Sequence, residues 1–518
     1  MDEDSADREP LRVTFVPELY LQRRIWVLDV LRREDVVTVV DIGCGEGELL
    51  ACLSQPAPWL RSQRARTPPS ISPPKLGDAA ASTASKSEKE IDNLYCTQIH
   101  GLDISLADLT QAIDATAPPP PPISKSAISP STRWEPLEVN IWQGGLECIN
   151  PTFVGIECIV STEVIEHLPP PILPFYAPVL LGVYHPRLLL VTTPSYTFNA
   201  RWTPPGITER SGYPDPTRRT ERVFRHHDHK FEWTIKEFEE YCQEAAGKWG
   251  YEVVTSTVGR SVDKDPWGRD EECGGASQVA EFSRKEGEEW KSIRDIKAAQ
   301  FMSENFGEGG HTHTLLAKHQ HPAHPLSRRP TLECAVISGA VKQKMISFRE
   351  SSVRFEELWF EQDISTLCGG WIELLLDAVD ADGGLMLNKE KAGADGQASM
   401  SERREDWYVE RVGADSNEEP WWGGEVERKP LVHEGYISDE EENNSAEDWG
   451  DSQEPQEYDS TLPAWSMVSE TRHGWGNDAG TSGWGESTTW TQQDDDIETG
   501  TEKLENVGWG SIKSDWVQ

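Results

Sequence analysis

The chain holds 518 residues, with 49 Lys and Arg against 89 Asp and Glu, a formal net charge of −40, and is long enough for a sizeable core with extra modules. Nine cysteines, an odd number without a Cys-x-x-Cys pair, argue against a disulfide framework or a structural zinc knuckle and imply a reducing compartment. The first residues, MDEDSADREP, are acidic, and no stretch offers about 18 uninterrupted apolar residues, so neither export nor membrane spanning is expected, and the location is read as cytoplasmic or nuclear.

In chain order, Leu21, Ile25, Leu28 and Leu31 recur at helical spacing and predict a helix over Leu19–Arg33, with Arg23 and Arg24 off its apolar face. TVVDIGCGEGELL then reads as a buried strand from Thr38 to Ile42, a glycine turn and a helix start. Further strands end at GLDIS, IECIVST and RLLLVTTPS, with helical segments between them, an α/β alternation that predicts a mainly parallel sheet with helices on both faces. Two low-complexity stretches, about 55–90 and 116–133, are read as surface loops inserted into this domain, which is bounded at 1–285. Residues 286–380 are expected to form a small appended region, partly helical at SSVRFEELWF and WIELLLDAV. Residues 381–518 are read as an acidic, Gly- and Trp-rich disordered tail, because from Ser401 onward 8 Lys and Arg face 30 Asp and Glu without apolar runs.

Two motif groups carry chemistry. Gly43, Gly45 and Gly47 follow a strand and open a helix, which lets backbone approach a ligand. Asp41 stands just before the first of them, and Asp103 ends the next strand, where a carboxylate could accept ribose hydroxyls. These acids favour S-adenosylmethionine over the nicotinamide dinucleotides that use similar turns. In STEVIEHL, Glu163, Glu166 and His167 are related as i, i+3 and i+4, so on a helical turn they converge. Two carboxylates that close are stabilised by a divalent cation. FRHHDHKFEWT, about sixty residues later, supplies His227 and His229 on one side of an extended segment and His226 and Asp228 on the other, and either of the first pair could complete a Glu/Glu/His/His site. Thr234 and Glu237 predict a capping box for the next helix.

These motifs resemble the small-RNA 3′-terminal 2′-O-methyltransferases, the Hua-enhancer family of plants with its animal and fungal relatives. The resemblance runs through FVPELYLQRR, VVDIGCGEG, GLDIS, STEVIEHL, VTTPSYTFN, FRHHDHKFEWT and CGGASQVAEF, from Phe15 to Phe282. It implies a Rossmann-like methyltransferase domain whose cofactor lies against Asp41, Gly43, Gly45, Asp103 and Gly145. It implies that Glu163, Glu166, His167 and His229 hold Mg²⁺ or Mn²⁺ and carry catalysis, His229 being preferred to His227 as the second histidine of the family's His-Asp-His. The implied substrate is the 2′-hydroxyl at the 3′ end of a small RNA, whose methylation protects it from 3′ modification and decay in RNA silencing. The sequence departs from the pattern at Ser195 and Thr197, where Asn and Glu are expected, and at Gly145, where relatives carry Ser.

An acidic chain that binds RNA needs a local basic track, and Arg218, Arg219, Arg222, Arg225 and Lys230, with Arg23 and Arg24, are read as that track. Phe231 and Trp233 are read either as base-stacking or as loop-anchoring aromatics. Of 21 tryptophans, 10 follow Ser401, and Trp422, Trp449, Trp475, Trp484 and Trp509 sit beside glycine. They resemble Argonaute-hook segments, which implies an Argonaute-family partner. His311, His313, His319, His321 and His324 are read as a solvated loop and not as a metal site. Two alternatives stand beside the RNA enzyme: an Argonaute-holding adaptor with weak catalysis, and a small-molecule O-methyltransferase.

Overall fold

Near-continuous apolar runs set the architecture. In the computed structural model, which describes residues 11–61, 93–119, 132–206, 212–306, 312–331, 333–392, 398–400 and 404–413, α1 (Leu19–Arg33) leads into β1 (Thr38–Ile42) and α2 (Glu48–Leu53). There follow β2 (Gln98–Asp103), α3 (Leu106–Ala115), β3 (Leu137–Gln143), β4 (Cys158–Thr162) and β5 (Leu188–Pro194). The five strands are parallel, in the spatial order β3-β2-β1-β4-β5. Val39, Cys158, Val160, Leu188 and Leu190 enter one core; Val40, Ile42, Ile159, Leu189 and Val191 enter another. Burial on both faces is why these strands read as continuous apolar runs.

The chain continues through a hairpin of β6 (Tyr213–Pro214) and β7 (Val223–Phe224), then α4 (Ile235–Trp249), β8 (Tyr251–Val258), α5 (Asp270–Cys273), β9 (Ser277–Arg284), α6 (Glu288–Asn305) and β10 (Thr314–His321). β9 lies antiparallel to β5, β8 to β9, and β10 to β3, giving an eight-stranded sheet, β10-β3-β2-β1-β4-β5-β9-β8. The capping box at α4 is present: Thr234 Oγ1 accepts from Glu237 N while the Glu237 carboxylate accepts from Thr234 N.

A second core follows, built from α7 (Cys334–Phe348), β11 (Ser352–Arg354), α8 (Phe355–Phe360), α9 (Gln362–Leu367), α10 (Ile372–Asp380), β12 (Leu385–Asn388), a pair β13 (Glu390–Ala392) and β14 (Ala398–Met400), and β15 (Tyr408–Arg411). β11, β15 and β12 form its three-stranded sheet. Its buried residues include Leu60, beside the first insertion, and Trp134, just before β3. Trp134 and Trp359 both donate their indole N–H to the carbonyl of Pro58, at 3.1 and 2.8 Å.

Several expectations need correction. The sheet does not close at residue 285, because β10 completes it at Thr314–His321. His319 and His321 therefore lie on a strand, where their Nε2 groups donate to the carbonyls of Ile113 and Thr116 at α3, and His313 is buried against Gly145. The solvated-loop reading fails for these, while His311 lies outside the described residues. The appended fold runs to Arg411 and not to 380, since β12 and β15 pair across its sheet. The first insertion begins after Arg61, because Trp59 and Leu60 are drawn into the appended core. In α1 the buried residues are Val27, Val30 and Leu31, while Ile25 is exposed, because the helix turns Arg23 and Arg24 toward a cavity. No helix among the described residues is long and apolar enough to cross a membrane.

Gly47 caps the glycine turn at φ 83°, and a Cβ there would stand 2.8 Å from Cα and Cβ of Ala112 in α3. Left-handed strain and this overlap together should make Gly47→Ala lower stability by about 2–4 kcal/mol, read as a reduced urea midpoint at unchanged slope.

Candidate functional site

The strand order reverses between β1 and β4, and in such sheets the crevice beyond the carboxyl ends of the reversing strands is where ligands bind. A cavity of about 520 Å³ lies there, lined by Asp41 near the end of β1, by Gly43 and Gly45 after it, by Glu163 after β4, and by Arg23 and Arg24 of α1. Gly43, Gly45 and Gly47 all have positive φ, which bends the turn sharply enough for Gly43 N and Cys44 N to donate to Leu102 O on β2 at 2.7 and 3.1 Å. Asp41 is buried, and its Oδ1 has no hydrogen-bond partner. Burial and then the nearby Asp103 push its carboxyl up to about 8. An orphaned buried acid beside a glycine turn fits a polar cofactor that supplies donors.

Asp103 and Gly145 are used differently from expectation. Asp103 accepts from Gly45 N and Ser105 N, both at 2.9 Å, so its carboxylate braces the turn from behind. Burial raises it to about 6. Gly145 accepts from His313 Nε2 at 2.9 Å, and neither residue is among those lining the crevice.

A second cavity, of about 320 Å³, adjoins through shared Arg23 and Glu163 and is lined by Glu166, His167 and His229. The three side chains each offer a donor atom within 4.8 Å of the others. They do not sit on an α-helical turn. Glu163 takes a left-handed φ of 55°, a strained conformation for a non-glycine residue, and Ile165–His167 then form a single 3₁₀ turn. This redirects Glu163: its carboxylate accepts from Thr192 Oγ1 at 2.8 Å and pairs with Arg23 Nη2 at 2.9 Å, so it stays out of the cluster with which the motif grouped it. Glu166 is fully buried, with Thr193 Oγ1 on Oε2 at 2.9 Å and nothing on Oε1. Burial, then Glu163, raises its carboxyl well above the usual carboxylate range. His167 is held down at about 4 by burial and by neighbouring His229.

The histidine segment is a turn and not an extended run, as His229 N donates to His226 O. That places His226 with His229 along the cavity, their rings 5.1 Å apart, while His227 is exposed and meets Tyr213 edge-on. Two residues with no role assigned from sequence hold the imidazoles. Asp228 Oδ2 lies 3.0 Å from His167 Nδ1, and Glu232 Oε1 lies 2.7 Å from His229 Nδ1. Each bond leaves the Nε2 as the remaining ring nitrogen, the carboxylate–histidine arrangement that orients metal ligands. The signal was in His-Asp-His and Phe-Glu-Trp, whose acids alternate with the histidines, but only the fold shows that Asp228 serves His167.

The basic track is partly spent on structure. Arg222 donates to both Glu237 oxygens at 2.8 and 2.7 Å and lies over the Tyr196 ring, and Lys230 pairs with Asp228 at 2.8 Å. Arg23 faces Glu163 and Arg24 pairs with Glu48, so neither forms an outer phosphate track. Arg218 and Arg219 are exposed in the β6–β7 hairpin, and Arg225 lies over the Trp202 ring. Phe231 and Trp233 join the core with Phe238 and Tyr241, so they are anchors and not stacking platforms. Trp422, Trp449, Trp475, Trp484 and Trp509 lie outside the described residues, and Trp407, one of the late tryptophans, packs against the appended core.

Five parallel strands with a glycine turn at the reversal and an antiparallel edge pair define the class, a Rossmann-like methyltransferase domain. No protein-family model matches the chain. Curated relatives do, each named small RNA 2′-O-methyltransferase: one from Gallus gallus, 26% identical over 276 residues, covering 53% of this chain and 56% of that protein. One from Arabidopsis thaliana is 29% identical, covering 52% and 23%, and one from Xenopus tropicalis is 31% identical, covering 30% and 37%. Over the matched residues the chain is similar to small RNA 2′-O-methyltransferases. It spans less than two thirds of the length of each of these relatives.

Asp41 gives a test of the crevice. Its folded pKa, about 8, lies above the unfolded value, so the stability it contributes is full below about pH 4 and is lost as pH rises through 8. Asp41→Asn should therefore stabilise the ligand-free protein at pH 7.5 by about 1–3 kcal/mol in urea unfolding and flatten its decline with pH, while lowering affinity for S-adenosylmethionine in titration calorimetry.

Proposed function

We propose that this protein transfers a methyl group from S-adenosylmethionine to the 2′-hydroxyl of the 3′-terminal nucleotide of small RNAs, protecting them in RNA silencing. The observation that carries the reading is the buried Glu166–His167–His229 cluster, joined to the glycine-turn crevice through Glu163 and Arg23.

The donor set fits a divalent cation. Glu166 Oε1 is buried without a hydrogen-bond partner, and the two imidazoles keep one nitrogen each. Mixed carboxylate and imidazole donors suit Mg²⁺ or Mn²⁺, which would lower the pKa of a ribose hydroxyl held at the site. S-adenosylmethionine supplies the electrophilic methyl group. Glu166, His167 and His229 would hold the ion; Asp228 and Glu232 keep the two rings in one orientation and tautomer. Thr193 fixes the Glu166 carboxylate, and Arg23 holds Glu163 between the two cavities. Asp41 and the glycine turn would face the cofactor. Exposed Arg218 and Arg219 are the basic groups we assign to RNA phosphates. Nine free cysteines suit a cytoplasmic or nuclear setting.

The test is methylation of a 3′-hydroxyl small RNA with S-adenosylmethionine and Mn²⁺, read as resistance to periodate and β-elimination. Acquired resistance is expected, and RNAs ending in 2′-deoxyribose or a 3′-phosphate should remain unmodified; unchanged sensitivity of the normal RNA would defeat the reading. Glu166→Gln should lower kcat/KM at least about 100-fold, and Asp228→Asn should weaken Mn²⁺ binding about 10–100-fold in titration calorimetry.

We also propose an Argonaute-family partner for the Gly-flanked tryptophans Trp422, Trp449, Trp475, Trp484 and Trp509, supported by composition alone: each indole is a large apolar anchor among small and acidic neighbours. Full-length protein with all five changed to Ala should recover at least about 10-fold less Argonaute in pull-down while keeping methyl transfer.

A further inference from the structure

The cavity that holds the metal-type donors has another wall, and its chemistry is different. Phe15, Phe198 and Trp202 line it together with Arg225. Phe198 is nearly fully buried and forms the base of the wall, with Phe15 at 5.9 Å and Trp202 edge-on at 6.4 Å between ring centroids. Phe15 and Trp202 are only partly buried, and the Arg225 guanidinium sits 4.2 Å from the Trp202 ring centroid. A ribose alone gives no reason for such a surface, whereas a nucleobase does, because every base has a π-face that stacks on aromatic rings and on guanidinium planes.

We infer that Phe15, Trp202 and Arg225 form a slot that stacks the base of the RNA's last nucleotide without reading its identity; the inference rests on the methyl-transfer reading above. The nearby amide that could read a base edge is already committed. Asn199 Nδ2 donates to Glu232 at 2.6 Å, and Glu232 in turn holds His229 at 2.7 Å. Along this wall the cavity is lined by ring surface of Phe15 and Trp202, with the Arg225 guanidinium over the Trp202 ring.

The slot is held rigid by a buried ion network that the metal chemistry does not use. Arg201, immediately before Trp202, is 1% exposed, donates to Asp263 O at 2.6 Å and pairs with the equally buried Asp265 at 3.5 Å. On the other side of Trp202, Thr203 O accepts from Arg269 Nη1 at 3.2 Å, and Arg269 grips both oxygens of Asp265 at 2.8 and 2.9 Å. Both neighbours of Trp202 are thus anchored to one buried carboxylate, which fixes the indole before any ligand arrives. A preformed stacking surface gains affinity by avoiding the cost of ordering itself on binding.

The test uses the full chain with RNAs ending in A, C, G or U and an RNA whose last nucleotide lacks a base but keeps both hydroxyls. The four natural ends should give kcat/KM within about 3-fold of one another, and loss of the base should raise KM about 10–100-fold with kcat nearly unchanged. Trp202→Ala should show the high KM on every RNA and no further penalty from base removal, and Trp202→Phe should restore most of the loss. Phe15→Ala serves as the second variant if Trp202→Ala does not fold. RNA ending in 2-aminopurine should lose fluorescence on binding the unaltered protein and keep it with Trp202→Ala. A base-free end that binds as well as the natural ones, a penalty that survives in Trp202→Ala, or a preference for one base beyond about 10-fold would overturn the slot. Should no RNA be methylated, fluorescence separates the two ideas: quenching that Trp202→Ala abolishes upholds the slot while the methyl-transfer reading falls, and absence of quenching removes both.

Discussion

Two carboxylate–imidazole pairs hold the candidate site together. Asp228 grips His167 across 61 residues of chain, Glu232 grips His229, and Lys230 N donates to Glu166 O at 2.8 Å. Together they clamp the 3₁₀ turn after β4 onto the histidine turn before α4. A buried glutamic acid and two buried imidazoles are costly to desolvate singly, and the pairs turn that cost into a defined arrangement of donor atoms. The capping box at Thr234 and the Arg222–Glu237 pair extend the clamp into α4, so the histidine turn is anchored at its far end as well.

The sheet supplies the second constraint. Because the strand order reverses between β1 and β4, the glycine turn and the Glu163 segment face one crevice from opposite sides. Arg23 and Glu163 border both cavities and face each other across 2.9 Å, so the N-terminal helix is part of the site and not merely a lid over the core. The left-handed backbone at Glu163 is the local strain that this placement requires. This left-handed φ and the 3₁₀ turn after it replace the helical turn on which three donors would have converged, which is why only Glu166 and His167 from that motif meet His229.

Much of this was legible along the chain. The helix Leu19–Arg33, the strands carrying Thr38–Ile42 and the GLDIS, IECIVST and VTTPS ends, the capping box, and the preference for His229 over His227 all follow from local patterns or motif resemblance, and the structure places those residues accordingly. What escaped was non-local. β3, with its mixed LEVNIWQ pattern, and β10, whose alternation of Lys and His looks like a polar loop, become strands only because each finds a neighbour to pair with. Arg222 and Lys230 look like free cations in the sequence, but their carboxylate partners take them up in the fold. Trp59, Leu60 and Trp407 belong to runs of tail-like or linker-like composition, yet they fill the appended core.

Short-range stereochemistry explains the division. Glycine spacing after a strand, apolar alternation, a Thr-x-x-Glu cap and the identity of metal-type donors are properties of a few adjacent residues, so the chain alone settles that a parallel α/β domain carries a glycine turn and a set of acids and histidines. Which acid serves which imidazole, which arginines remain open to solvent, where the sheet ends, and that an anchored indole faces the same cavity as the buried donors depend on contacts between segments tens to hundreds of residues apart. Those pairings are chosen by packing and by the cost of leaving a buried charge unmatched, quantities that exist only once the sheet has brought the segments together.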